Sequence, residues 1–409
     1  MVNLKNVIRN ISFREIGTVA FGATISQILI VVSIPLLTRL YPPENFGAYS
    51  IYTSVIAIIS VVCTLRYELA IPIPKSELKA HYLMVLSLTS TILISSLTFF
   101  MVLVLQVLDV LPTLMSGVIW LLPLSVLIVG LYQVLTYQLI RQKKFKALSR
   151  YRVTQSIFIV VFQLVLFKFS QLGLVAGQTL GQTCSMLMHR DKIITHKKNR
   201  LSIRRLISVS REFRKFPYYS LPTSLVNSAG QHLPSLIIAA VFGAKSAGIY
   251  FLTTKLVSLP IRVLGSAVSN VFIANAREQK EINNLRKFSL NYLAILIFII
   301  FPVVVIATFF GEGLITLMLG DEWSGAGEVL KWLIIIGACQ FITSPIGQIL
   351  MIRDKQETGL FWQVILSTLK ICGLMIGAYH DDFILGIICY SLLGSAGYLI
   401  FLMVSIKNA

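Results

Sequence analysis

"LTRLYPPENFGAYSIYTSVIAIISVVCTLRYELAIPIPKS", residues 37–76, decides the fold. After Phe46 it runs for about twenty residues without a charge, the length that carries an α-helix across a bilayer. It then places Arg66 and Glu68 inside the apolar stretch. Comparable segments fill the chain: of 409 residues 56% are hydrophobic and 13% charged, where a soluble globular chain carries about 25% charged residues. The composition is that of a membrane protein.

Apolar runs between charge clusters give about twelve spans, near residues 15–40, 47–73, 80–106, 113–140, 151–168, 171–188, 217–242, 247–273, 287–310, 327–352, 359–379 and 383–405. The fifth and sixth are short and diluted by Gln163, Gln178 and Gln182, so ten or eleven spans also fit. The opening "MVNLKNVIRNISFREIG" is a basic amphipathic segment without a small-residue cleavage site, which predicts that the first span is retained. All five cysteines fall inside predicted spans, where packing is the expected role and neither disulfides nor a metal cluster is implied.

The formal charge of +19 raises nucleic acid as a partner. Sorting the basic residues against the spans removes that reading: 28 of the 36 Lys and Arg lie in the N-terminal segment, in the loops after even-numbered spans or at Lys407. Positive charge collects on the cytoplasmic side, so both termini are expected there. Attraction to anionic headgroups follows as a side effect.

The chain resembles itself at an offset of about 200 to 213 residues. "FGAYSIY" (46–52) aligns with "AGIYFLT" (247–253), Trp120 with Trp332, and Gly173 and Gly181 with Gly386 and Gly394. Six spans per half give both copies the same orientation, related by an axis along the membrane normal. The expected fold is an all-α polytopic membrane protein: a six-helix lobe over 1–188, a basic cytoplasmic linker over 189–216, and a second six-helix lobe over 217–409. Within the linker, "HRDKIITHKKNRLSIRRLISVSREFRKF" reads as a solvated amphipathic segment lying along the interface.

Charge within a span is costly and marks a wet cavity or the bundle interior. Lys255, Ser258, Arg262, Ser266 and Ser269 share one face of the eighth span, as Ser220, Ser224, Asn227, Gln231 and Ser235 do in the seventh and Gln363, Ser367 and Lys370 in the eleventh. These stripes predict a central water-filled lumen, to which the first half adds Arg66. The substrate-contacting candidates are Arg66, Arg262, Lys370, Lys255, Asn227, Gln231, Ser224 and Gln363. Each serine has the competing reading of a bond to its own backbone, and Lys255 that of reaching for the surface. An Arg66–Glu68 pair is awkward on a continuous helix, since residues two apart face different ways. Pro35 and Pro234, in matching places, predict bends. No phosphate-cradling glycine loop, histidine cluster or deep carboxylate pair is present, so neither enzyme chemistry nor a cofactor is expected.

"LTRLYPPENFGAYSIY" followed by "RYELAIPIPK" resembles the start of bacterial polysaccharide flippases, the O-antigen and capsule repeat-unit exporters of the multidrug/oligosaccharidyl-lipid/polysaccharide superfamily. "LGDEWSGAGEVLKWL" (319–333) is similar to that family's connection between the ninth and tenth spans. The resemblance implies a two-lobe bundle that moves a polyprenyl-pyrophosphate-linked oligosaccharide from the inner to the outer leaflet of the cytoplasmic membrane by alternating access. It also implies glycosyltransferases and a polymerase acting beside it. A lumen lined by Arg66, Arg262 and Lys370 suits a pyrophosphate, which arginine holds through paired charge-assisted hydrogen bonds. A drug exporter of the same superfamily would favour buried carboxylates. A membrane polymerase or ligase would carry a long outer loop, whereas the longest expected here is 311–327.

Overall fold

The computed structural model describes residues 13–109, 117–189, 202–281, 284–353 and 355–408. Among these every regular element is helical. In chain order they are α1 (Phe13–Thr38), α2 (Pro43–Cys63), α3 (Glu77–Val107), α4 (Leu122–Arg141), α5 (Phe145–Val165), α6 (Ser170–Met188), α7 (Ile203–Glu212), α8 (Leu221–Glu281), α9 (Leu285–Leu319), α10 (Gly325–Ile346), α11 (Gln348–Ile352), α12 (Gln356–Tyr379) and α13 (Phe383–Lys407).

The local chemistry of the helix ends is ordinary. Pro43 opens α2, where a missing N–H costs nothing, with Glu44 in the first turn at the positive end of the helix dipole. Ser76 caps α3 by accepting from the Lys79 amide, and Asp382 caps α13 through the Leu385 amide. The 61-residue α8 is two helices joined at Gly243, whose φ of 83° and ψ of 176° suit only glycine. The break therefore falls at Gly243 and not at Pro234, which stays within helical backbone.

Nine helical stretches among the described residues are long and apolar enough to cross a membrane, or up to ten with the α5–α6 pair taken as one bent span. The expected twelve are not all separate by this measure, for two physical reasons. The fifth and sixth, diluted by polar residues, pass only together and bend by 68° at their junction, while the seventh and eighth form one apolar stretch through Gly243. The ninth reaches Leu319, so the connection expected at 311–327 shrinks to the turn around Gly320 and Asp321–Trp323.

The second span is also corrected. Helix α2 stops at Cys63 and not near residue 73, because Leu65 and Arg66 take left-handed φ values of 50° and 64° and lead into the 3-10 turn Tyr67–Ala70. Its 21 residues reach about 31 Å, enough for a hydrocarbon core of about 30 Å. Arg66 and Glu68 thus follow the helix and do not interrupt it.

The chain folds into two compact units, one made of Met1–Leu40 and Tyr52–Ser228, the other of Tyr41–Ile51 and Ala229–Ala409. In the first, α1 packs on α5, α5 on α6 and α3 on α4. Gly177 and Gly181 let α6 lie against the α5 backbone at Gln163 and Ile159. A buried polar chain ties three helices: the Tyr52 hydroxyl lies 2.7 Å from that of Ser125, which lies 2.7 Å from that of Thr179.

The described part of the basic linker is a docked helix. Val209 of α7 is buried among Tyr67, Ile71, Tyr82 and Leu83, with Leu206, Phe213 and Phe216 packed beside it. Lys79 donates to both oxygens of Glu212 at 2.7 and 2.8 Å, and the Ser202 amide donates to the Tyr82 hydroxyl at 3.1 Å. Residues 190–201 of the expected linker lie outside the described residues.

In the second unit α12 packs on α13, α13 on α10 and α10 on α9. The start of α2 belongs here because its aromatic residues find their partners here. Phe46 meets Trp323 edge to face at 5.3 Å and Tyr41 at 6.3 Å, and Tyr49 meets Phe251 at 5.7 Å. Trp323 and Tyr41 are fully buried.

Candidate functional site

The turn after α2 sets the first cationic position. Glu68 is 1% exposed and accepts from the Thr64 hydroxyl, and its other oxygen stands 3.5 Å from Arg66 Nη1. The expectation that Arg66 and Glu68 would not pair rested on helical geometry; on a left-handed turn their side chains converge. Gln133 of α4 completes the cluster, donating to the Ser60 carbonyl at 3.1 Å while its side-chain oxygen accepts from Thr64. A buried carboxylate without these partners would cost several kcal/mol. Arg66 keeps further capacity: its Nε is buried and has no acceptor among the described residues.

A second arginine holds the chain that follows. Arg141, at the end of α4, donates through Nη1 to the Ile71 carbonyl at 3.0 Å and the Pro74 carbonyl at 2.6 Å, and through Nη2 to Glu77 at 3.0 Å. This segment connects α2 to α3 and is the surface on which α7 docks. Arg66, Arg141 and the linker helix are thereby parts of one assembly within the first unit.

The second unit contains a cavity of about 70 Å³, room for a few water molecules. Its polar lining comes from Tyr250, Thr254, Ser258, Gln340, Lys370 and Tyr390. Lys370 Nζ lies 3.2 Å from the Tyr398 hydroxyl and 4.8 Å from the centroid of the same ring. No carboxylate forms an ion pair with it among the described residues. The Tyr250 and Tyr390 hydroxyls are 3.2 Å apart.

The remaining candidates divide between the units. Ser224 is half-buried and Asn227 exposed, both in the first; Gln231 and Gln363 are exposed in the second, on two helices that meet where Ser367 Oγ fills the space over Gly230. Lys255 stands 4.4 Å from the Phe251 ring centroid and 5.8 Å from that of Tyr49, a cation held between two aromatic faces. Arg262 lies on the same helix, but its side chain, like that of Ser266, is outside the described residues. Ser258 and Ser367 donate to carbonyls of their own helices at 3.4 and 2.9 Å, the competing reading of such serines.

Sequence reasoning missed Gln133, Gln340 and the Tyr250–Tyr390 pair. A polar side chain in an otherwise apolar run was the available signal, and Tyr250 stood in the aligned "AGIYFLT".

The chain is similar to several known proteins. The chain is 26% identical over 153 residues to the teichuronic acid biosynthesis protein TuaB of Bacillus subtilis (strain 168), covering 37% of this chain and 32% of TuaB. It is 27% identical over 173 residues to the lipopolysaccharide biosynthesis protein WzxC of Escherichia coli (strain K12), covering 42% and 35%. The aligned region thus spans about a third of the length of these relatives. Among solved structures the fold matches the inward-closed lipid II flippase MurJ with a TM-score of 0.70 at 14% identity, over 95% of this chain and 87% of MurJ. It matches an inward-facing multidrug resistance MATE transporter of the MOP superfamily with a TM-score of 0.67 at 15% identity, over 94% and 95%. Residues 36–328 match the profile of the polysaccharide biosynthesis proteins, and the chain belongs to that family.

Proposed function

We propose that this protein translocates a polyprenyl-pyrophosphate-linked oligosaccharide, an O-antigen or capsule repeat unit, from the inner to the outer leaflet of the cytoplasmic membrane by alternating access. In this reading both termini face the cytoplasm, which the asymmetry of Lys and Arg supports. The observation that carries the reading is the sign and state of the charges within the two units, the cations part-buried and the carboxylate buried. Among the described residues, Arg66 retains a buried Nε–H with no acceptor, and Lys370 faces a polar cavity with no ion-paired carboxylate. Both suit a diphosphate. Glu68, the buried carboxylate beside Arg66, is already engaged by Thr64 and Arg66, which leaves little to recognise an organic cation and disfavours drug export. The likeness to the lipopolysaccharide biosynthesis protein WzxC and to the lipid II flippase MurJ supports the same reading. Arg262, Lys255, Ser224, Asn227, Gln231 and Gln363 are proposed as further contacts, and a polymerase and glycosyltransferases as neighbours in the same membrane.

Complementation tests the reading. In a strain lacking its own flippase, surface polysaccharide is compared for wild type, Arg66→Ala and Arg66→Lys at equal membrane expression. Loss with Ala and partial recovery with Lys support charge recognition. Full activity of both well-expressed variants places the anion contact elsewhere.

A further inference from the structure

Between α7 and α8 the chain forms a feature that none of the residues above explains. Phe216–Ser220 is a π-turn, in which the Leu221 amide reaches back to the Phe216 carbonyl. Pro222 has no N–H to give the Tyr218 carbonyl, so the ladder shifts by one residue and the helix widens here. Beside the widened turn lies a groove of about 340 Å³ lined by Lys215, Phe216, Tyr219, Ser220, Thr223 and Ser224.

The lining has a definite chemistry. It offers one ammonium, two aromatic rings, the Tyr219 phenol and three aliphatic hydroxyls, and no carboxylate. The nearest acid in sequence, Glu212, is turned to Lys79. Tyr219 is 73% exposed, its ring a free platform. The Thr223 hydroxyl donates to the Tyr219 carbonyl at 2.8 Å, which leaves its oxygen as an acceptor. A belt of interfacial tyrosines would account for Tyr218, 72% exposed, but does not call for three serine and threonine hydroxyls gathered beside a cation. Ser220 and Ser224 also begin the polar stripe that continues to Asn227.

We infer that this groove is a docking site for a glycosylated diphosphate headgroup, with Lys215 meeting the phosphates, Tyr219 stacking on the first sugar ring, and Ser220 and Thr223 taking its hydroxyls. The inference rests on the function proposed above and adds the place where the substrate is first held. Bulk anionic phospholipid offers the same phosphate but no sugar ring for Tyr219.

The test uses the full chain in nanodiscs containing phosphatidylglycerol, with two probes: farnesyl pyrophosphate, and the same molecule carrying one N-acetylglucosamine. Lys215→Gln weakens both probes about tenfold. Tyr219→Ala weakens the glycosylated probe about tenfold and leaves the bare one unchanged, while Tyr219→Phe, which keeps the ring, stays within about twofold of wild type. Tyr219 is exposed, so the melting temperatures should agree and the losses report binding. Wild-type affinity for the glycosylated probe in all three variants would overturn the groove and leave the flippase reading standing. Equal loss of both probes in Tyr219→Ala would refute sugar stacking. No binding of either probe by wild type, with phosphatidylglycerol already present, would defeat both the groove and the substrate class.

Discussion

Gly47 and Gly248 occupy equivalent places in the two halves of the sequence, and each lies where a β-carbon would strike the start of the other's helix. At Gly47 the obstacle is the Ala244 carbonyl; at Gly248 it is the Pro43 carbonyl. Residues 43 and 244 are related by the same offset as 47 and 248, so the contact is reciprocal, as a local two-fold produces. The halves of the repeat therefore touch through their own repeated element, within one compact unit.

Substitution should be intolerable at both places and for the same reason. Gly47→Leu and Gly248→Leu are each expected to lower stability by about 1–3 kcal/mol or more, because backbone, and not a flexible side chain, must give way. Once one helix start has been displaced the second substitution meets less resistance, so the double variant should lose less than the two together. Thermal unfolding of the purified protein measures this; additive losses would show that the two glycines are independent.

The aromatic cluster beside this crossing joins two of the three stretches from which the family resemblance was read, 37–52 and 319–333. Phe46 and Trp323 meet edge to face, and their coupling in a double-mutant cycle should be about 0.5–1.5 kcal/mol. Zero coupling in the cycle Phe46→Ala, Trp323→Ala would mean that the two motifs are adjacent without supporting each other.

Much of this architecture was legible and some was not, for physical reasons. Span positions follow hydropathy, which depends on composition alone, and the repeat was visible in "FGAYSIY" and "AGIYFLT". Alignment establishes equivalence and not proximity, so the contact of Gly47 with the 244–248 segment could not be read from it. The stop at Cys63 was hidden because Leu65 and Arg66 are not turn-forming residues; tertiary contacts, among them Thr64 and Gln133 around Glu68, hold the left-handed backbone that neither residue prefers. The linker's amphipathicity was plain, but its docking through Val209 and Glu212 depends on a surface built from residues more than a hundred positions earlier. Lys370 lines a polar cavity within the second unit, a placement that its position in the sequence, one polar residue among apolar ones, could not specify.

Arg141 is expected to be the more sensitive structural arginine. Its side chain is 10% exposed, and replacing it with Ala leaves the Ile71 and Pro74 carbonyls without their donor, at roughly 1–3 kcal/mol for each group left buried and unpaired. Arg141→Lys supplies a single ammonium and should recover only part of the loss. Limited proteolysis in the 71–77 segment reads this directly, and unchanged protection in Arg141→Ala would sink the clamp.

The Lys79–Glu212 pair should behave differently despite its short distances. Both side chains are nearly half exposed, so Glu212→Ala should cost no more than about 1 kcal/mol and less in high salt. Docking of α7 then persists through Val209 and its neighbours. Hydrogen exchange over 203–212 that rises only slightly in Glu212→Ala and strongly in Val209→Asp is the expected pattern; the reverse order would assign the docking to the ion pair.

Arg66 admits a test that separates backbone from charge. Its φ of 64° costs any residue with a β-carbon about 1–2 kcal/mol, so Arg66→Gly should fold better than Arg66→Ala by about 1 kcal/mol, although both lose the guanidinium. Both also leave Glu68 buried beside Thr64 without its cation. Adding Glu68→Gln removes that unpaired charge, and Arg66→Gly with Glu68→Gln should approach wild-type stability. Polysaccharide export should nevertheless remain low in all three, because the function proposed for Arg66 is to meet the substrate and not to neutralise Glu68. Restored export in the double variant would show that the guanidinium serves only as the counter-ion of a buried carboxylate, and the contact with the diphosphate would then have to be sought at Lys370.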